Sequence, residues 1–302
     1  MAKKKKIEVP LSSLTEKDLA QTSKPEGLFF RIKHSVNPGD LSAAMGCVKK
    51  LYETTGRKSI ISQVVGTVAN YYMGAQHPTK NAEGINVCMN DYMWDMVKPL
   101  VESQEYVAFF EKHDGQAVSI DFDVIRNKTK VNLPHGPIQG WLPLAFPDLS
   151  FDISKPWIHL NDECPEKIKK QVKGKVILNF TERYRATLID YFFLRPYSPN
   201  LVFAGTEKEH WLFCNQWQLN IPRLEIDNFL ELGYALKESM FSLSNQSQMW
   251  NLAQAMGTPR ILEMCEFADN CFPNIGPNSE GYFYQAGAES NFRSMYNRFF
   301  SV

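Results

Sequence analysis

The sequence predicts an α/β protein built from two doubly wound domains that face one another across a central cleft. Short apolar, β-branched and aromatic runs alternate with longer segments whose apolar residues recur at helical spacing, the pattern of parallel strands joined by crossover helices. The alternation fades between Asn127 and Pro156 and restarts after a charged segment, which divides the chain in two. The 302 residues suffice for two ordinary domains, and 44% hydrophobic with 22% charged residues marks a globular chain.

In the first half, GLFFRIK (27–33) reads as a buried strand. The turn HSVNPGD follows, Asp40 opens the amphipathic helix LSAAMGCVKKLYETTG, and Gly56 closes it. SIISQVV is the next strand. INVCM (85–89) reads as a third, after which Asp91 caps the helix DYMWDMVKPLVESQ. YVAFF and VSIDFDV are further strand candidates, and 127–156 reads as loops with one short helix.

The boundary falls near residue 162, giving a first domain over 1–162 with a basic tail at 1–6, and a second over 163–302. NDECPEKIKKQVK (161–173), charged and interrupted by a proline, reads as the linker. KVILNF, NLVFAG, LEI, MFSLS and RILEM are strands, separated by the helical patterns EKEHWLFCNQW, NFLELGYALKES and QMWNLAQAMG. The Pro-, Gly- and Asn-rich stretch after RILEM reads as a loop lining the cleft. Its Tyr282, Phe283 and Tyr284 offer either core packing or stacking on a base or sugar. A last helix runs from about Glu289 to Phe300. In doubly wound sheets ligands bind outside the carboxyl ends of the strands, so the cleft between the halves is the expected site.

Composition excludes several classes. The 33 basic and 33 acidic side chains cancel, so there is no bulk electrostatic case for binding nucleic acid. The run Lys3 to Lys6 is the local exception and reads as a solvated tail. No stretch approaches the roughly 20 apolar residues that span a bilayer, and no apolar segment follows the N-terminal lysines. The expectation is a cytoplasmic protein, at most peripheral to the inner face of a membrane. The six cysteines are scattered without a Cys-x-x-Cys pair, which argues against a structural metal site. Cys265 and Cys271 are close enough to bridge but are expected as reduced thiols.

Three segments at strand ends carry candidate chemistry. In HSVNPGD, Gly39 lets the backbone turn sharply and Asp40 stands at a helix start facing the cleft. Asp40 is either an N-cap and nothing more, or a general base able to take a proton from a sugar hydroxyl. His34 reads as a hydrogen-bonded loop histidine, with a place on the acceptor side as the alternative. In NFTERYR (179–185), Thr181, Arg183 and Arg185 set a hydroxyl and two planar guanidinium groups at a carboxyl strand end. Such forks suit a diphosphate; pairing of one arginine with Glu182 or Asp190 is the plainer use. Finally, Ser244, Asn245, Gln246 and Ser247 join a strand to a helix whose free N–H groups and positive dipole end suit an anion, although the same residues make an ordinary cap. Glu263, at the end of the next strand, either takes two ribose hydroxyls or is structural.

The order and spacing of these pieces resemble a known family. KHSVNPGDLSAAMGCVKKLYETTG resembles the N-terminal motif of the ADP-heptose:lipopolysaccharide heptosyltransferases, in which Gly-Asp begins the first helix. VILNFTERYR, LVFAGTEKEH with its Gly205, and MFSLSNQSQMWNLAQAMGTPRILE resemble that family's donor domain. The resemblance implies a GT-B fold of two Rossmann-like domains and a metal-independent, inverting glycosyltransferase. It puts Asp40 on the catalytic base, NFTERYR on the donor phosphate loop, and Ser244 to Ser247 on the helix that binds the donor diphosphate. It also implies a final helix that crosses back to the first domain. The donor turn departs from the family, which carries an acidic residue, Ser or Thr, then Gly, and a histidine a few residues on. Here Gln246, Ser247, Gln248 and Asn251 stand instead, and the phosphate loop has arginines where the family has a lysine. Heptose and ADP are therefore not implied.

The resulting expectation is direct displacement at the anomeric carbon of a nucleotide-diphosphate sugar, with a glycan, lipid or protein acceptor. No cofactor or metal is expected, since no Asp-x-Asp motif is placed to hold one. Two other classes share the cleft: a nucleotide-sugar epimerase or hydrolase, and a non-catalytic GT-B-like binding or structural protein.

Overall fold

The computed structural model describes residues 28–69, 79–126, 133–186, 188–273, 276 and 278–300, so the N-terminal lysines lie outside the described residues. Two wholly parallel sheets organise the chain. The first contains β1 (Phe30–His34), β2 (Ser59–Gln63), β3 (Val107–Lys112) and β4 (Ile120–Asp121), in the order β3-β2-β1-β4. The second contains β5 (Val176–Asn179), β6 (Leu201–Phe203), β7 (Phe241–Asn245), β8 (Arg260–Glu263) and β9 (Ser279–Tyr282), in the order β6-β5-β7-β8-β9. Strand order reverses between β1 and β4 and between β5 and β7. The crevices that open at such switch points are where this architecture takes ligands.

Helix α1 (Pro38–Thr55) begins with proline in its first turn, where the missing N–H costs nothing, so the cap position expected at Asp40 falls on Asn37 and Asp40 stands inside the first turn; the helix ends at Gly56 with φ 69°. Helix α2 (Asp91–Glu102) is capped by Asn90, whose side chain accepts from Met93 N at 2.9 Å; the cap expected at Asp91 thus lies one residue earlier. A short α3 (Trp141–Ala145) follows. In the second half, α5 (Glu207–Trp217) starts with a reciprocal capping box of Thr206 and Glu209. Helices α6 (Phe229–Glu238), α7 (Gln248–Met256) and α8 (Gln285–Phe300) complete it.

Several expectations are corrected. INVCM forms no sheet strand: Val87 makes only an isolated antiparallel bridge to Val68. The run is apolar because Val87 and Met89 are buried in the core, and burial reads the same with or without a ladder. LEI likewise supplies packing, with Leu224 buried and its N–H bonded to Phe203 O at 2.7 Å. The supposed linker contains α4 (Glu166–Val172), which packs on α6 through buried Ile168 and Val172. The stretch after RILEM supplies an edge strand, β9. The final helix stays on the second sheet: Phe292 of α8 is buried against Phe241 (5.4 Å between ring centres), Tyr197 (4.9 Å) and Phe193 (5.8 Å), so its apolar face is used there.

The halves share part of their core, although a second buried cluster around Leu178, Phe203, Phe241 and Phe292 lies wholly in the second half. One buried cluster joins Leu41, Met45 and Val48 of α1, Ile32 and Ile61 of the first sheet, Trp157 and Ile158, and Ile177, Met249, Leu252 and Ala253 of the second half. Helices α1 and α7 meet directly. The 150–158 segment wedges beside them, with Trp157 Nε1 donating to Ser42 O at 2.8 Å and Trp157 N to Ala255 O at 2.8 Å. All six cysteines are free thiols. Among the described residues no helix is long and apolar enough to cross a membrane.

Candidate functional site

A cleft of about 500 Å³ opens at the carboxyl ends of both sheets and is lined by residues of both halves. The starts of α1 and α7 meet at its floor. A Cβ on Gly39 would stand 2.8 Å from Asn251 Nδ2 and at an ordinary contact distance, 3.6 Å, from Ser247 O, so glycine here leaves the Asn251 side chain its place between the two helices. Asn251 donates to Ser247 O at 2.9 Å and accepts from Gln139 Nε2 at 2.9 Å. Gln248, in the first turn of α7, bonds Ser42 of α1 at 3.0 Å.

The phosphate-loop candidates divide. Asn245 is fully buried and binds the loop: its Oδ1 accepts from Thr181 N at 3.0 Å, and its Nδ2 donates to Thr181 O at 3.2 Å, Thr181 Oγ1 at 3.0 Å and the Arg183 carbonyl. Tyr184 has φ +50°, a left-handed conformation rare outside glycine. That kink sends neighbouring arginines different ways. Arg183 and Thr181 line the cleft. Arg185 turns inward, bonds Glu263 Oε1 through Nε at 2.8 Å, and lies over the Phe180 ring at 4.9 Å.

Glu263 is correspondingly occupied. Besides Arg185 it accepts from Ala186 N at 2.6 Å and from the Tyr191 hydroxyl, which in turn contacts the Tyr282 hydroxyl. Burial pushes both tyrosine hydroxyls well above their usual range, so they stay protonated. Arg185 and Glu263, read as phosphate and ribose ligands, therefore form one buried network that fixes the loop. Tyr282 belongs to it, whereas Phe283 and Tyr284 are exposed.

At the donor turn, Ser247 caps α7 by accepting from Trp250 N at 3.4 Å and donates to Asn179 Oδ1 at 2.6 Å. Gln246 and Ser247 line the cleft; Ser244 is buried within β7 and does not. Gly205 also lines it, although its lack of a side chain relieves contacts with Phe203 and Glu209 and not with a ligand.

On the first half, Asp40 lines the cleft and is paired with Arg126, which ends the turn following β4. The pair bridges the β1/β4 switch point. His34 does not reach the cleft. It is buried, with Nδ1 2.8 Å from Gln63 Oε1, and lines a smaller cavity behind Asp40 with Asp123 and Arg126. Burial holds its pKa below the usual histidine value. Among the described residues no group of three or more His, Cys, Asp or Glu side chains is placed to hold a metal ion.

The sequence reading missed Arg126, Gln248 as a cross-helix tie, and an apolar flank of the cleft made by Tyr92, Met93 and Met96 of α2 facing Leu224, Ile226 and Phe229. The only sequence signal for Arg126 was a cation at the end of a strand candidate. Its partner lies 86 residues away, and no local pattern encodes that.

Solved structures of heptosyltransferases resemble this chain, among them two from E. coli. The E. coli ADP-heptose LPS heptosyltransferase II is 11% identical, with 89% of this chain and 99% of that one covered and a TM-score of 0.53. The E. coli heptosyltransferase WaaC with ADP-2-deoxy-2-fluoro heptose is 9% identical, with 88% and 99% covered and a TM-score of 0.52. At such identities the likeness is one of fold: two parallel, Rossmann-like sheets in the GT-B arrangement, as the sequence resemblance implied. No family model and no curated protein sequence matches the chain.

Proposed function

We propose that this chain transfers a sugar from a nucleotide-diphosphate donor to an acceptor hydroxyl, by direct inverting displacement and without a metal ion. The observation that carries this reading is the convergence of Asp40 from the first half with Arg183 and the start of α7 from the second, in one cleft. The GT-B likeness to a heptosyltransferase holding ADP-2-deoxy-2-fluoro heptose supports a nucleotide-sugar donor.

In this mechanism the acceptor oxygen attacks the anomeric carbon from the face opposite the diphosphate. Asp40 takes the hydroxyl proton as the new C–O bond forms. The bond from the anomeric carbon to the diphosphate oxygen breaks, and its electron pair leaves with the diphosphate. Arg183 and the N–H groups opening α7 meet the charge that develops there. Arg126 holds the Asp40 carboxylate in one direction and supplies no proton.

A second reading, a non-catalytic binding protein with the same cleft, is favoured by one observation: Asp40 is already engaged by Arg126. It predicts nucleotide binding without turnover. The deciding experiment incubates the protein with UDP-, GDP-, ADP- and CDP-sugars, with and without candidate acceptors, and follows nucleoside diphosphate release in the presence and absence of a chelator. Acceptor-dependent, chelator-insensitive release supports the transferase. Product formed without acceptor points to a hydrolase or epimerase, and the absence of any nucleotide binding would sink the donor reading.

A further inference from the structure

We propose that Tyr92, backed by Met93 and Met96, closes over the nucleobase of the donor from the first half of the chain, so that the base is sandwiched between α2 and the segment entering α6. This rests on the donor reading above and deepens it.

The two ends of the cleft differ in chemistry. Its centre is polar, with Arg183 and the Ser247 cap. One flank carries Asp40 with Arg126 behind it, beside the β1/β4 switch point. On the other flank, helix α2, which leads into β3 at the edge of the first sheet opposite β4, contributes Tyr92, Met93 and Met96, and the second half brings Leu224, Ile226 and Phe229, with Arg223 and Glu207 also in the lining. Helices α2 and α6 also pack on one another, so these walls face across a short gap. A donor whose diphosphate lies at the α7 start, with its sugar toward Asp40, has its base directed to this second flank.

The residue types suit a flat heteroaromatic ring. Tyr92 is 68% exposed although it lines a cleft, which leaves a large ring face uncovered. An aromatic face stacks on a base, and thioethers adapt to its edge. The start of α2 is ordered by the Asn90 cap, whose side chain accepts from Met93 N at 2.9 Å, so the ring is presented from a formed helix turn. Because stacking grows with overlapped area, purines gain more from this wall than pyrimidines.

The test is calorimetric titration of the whole protein with ADP, UDP and inorganic pyrophosphate, for the wild type, Tyr92→Ala and Tyr92→Phe. The expected result is about tenfold weaker ADP binding in Tyr92→Ala, from the loss of one base–aromatic stack. UDP should lose less, pyrophosphate nothing, and Tyr92→Phe should bind like the wild type. Unchanged ADP affinity in Tyr92→Ala overturns the clamp and leaves the donor reading standing. An equal loss for pyrophosphate overturns it too, because the effect would then not involve the base. Weaker acceptor binding with unchanged ADP binding would assign the wall to the acceptor instead. If the wild type binds none of the nucleotides, the donor reading falls and the clamp with it.

Discussion

Arg185 and Glu263, 78 residues apart in sequence, are joined by a 2.8 Å hydrogen bond, while Arg183, two residues before Arg185, lines the cleft. One loop therefore carries a structural arginine and a ligand-facing one. Arg183→Ala should weaken nucleoside diphosphate binding about 10- to 100-fold, the worth of a charge-assisted hydrogen bond. Arg185→Ala should leave that binding nearly unchanged and cost about 3 kcal/mol of stability, because Glu263 is left buried without its cation. Calorimetric titration and thermal melts on both variants distinguish the two; interchangeable effects would defeat the assignment.

Asp40→Asn keeps shape and removes the base. Transfer should fall about 10²- to 10⁴-fold with nucleotide affinity preserved. Arg126→Ala, which frees the carboxylate from its partner, should produce a smaller loss because its role is to orient. Turnover of Asp40→Asn close to that of the wild type would reduce Asp40 to a helix-start carboxylate.

The shared core predicts that the halves unfold together. Heat or denaturant should give one coincident transition by calorimetry and by near-ultraviolet circular dichroism. Two separated transitions would contradict it. Gly46→Ala tests the 150–158 segment beside this junction, since an added Cβ would run into the Phe151 ring; the cost should be about 1–3 kcal/mol.

His34 gives stability a pH dependence. Its folded pKa lies below the ordinary value of 6.5 because burial disfavours the charged ring, against the opposing pull of Asp123, of the Gln63 hydrogen bond and of Asp40, and with Arg126 acting in the same direction as burial. The unfolded chain thus binds the proton first. The stabilisation is fully present above about pH 6.5 and is lost as pH falls through the folded pKa. Wild-type stability should drop between pH 7 and pH 5 more steeply than that of His34→Gln, as measured by urea titrations across that range.

Much of the fold could be read from local pattern. The helix closed by Gly56, the strands KVILNF, MFSLS and RILEM, and the capped start of α7 all follow from periodicity and turn chemistry, which act over a few residues. INVCM and LEI misled because an apolar run marks burial whether or not a neighbouring strand pairs with it. The site was legible as residue types at strand ends and illegible as partnerships. Asp40 with Arg126, Arg185 with Glu263 and Gly39 with Asn251 each join residues dozens or hundreds of positions apart.

The sequence by itself determined two wound halves, their strand ends, and the places where an acid, two arginines and a helix start would stand. Tertiary structure alone decided which of these groups face the cleft. The physical reason is burial: a charged group taken out of water needs a partner, and the partner closest in space, not in sequence, settles whether it is left to meet a ligand. Arg185 and Glu263 found one another inside the second half, while Arg183, two residues earlier, lines the cleft.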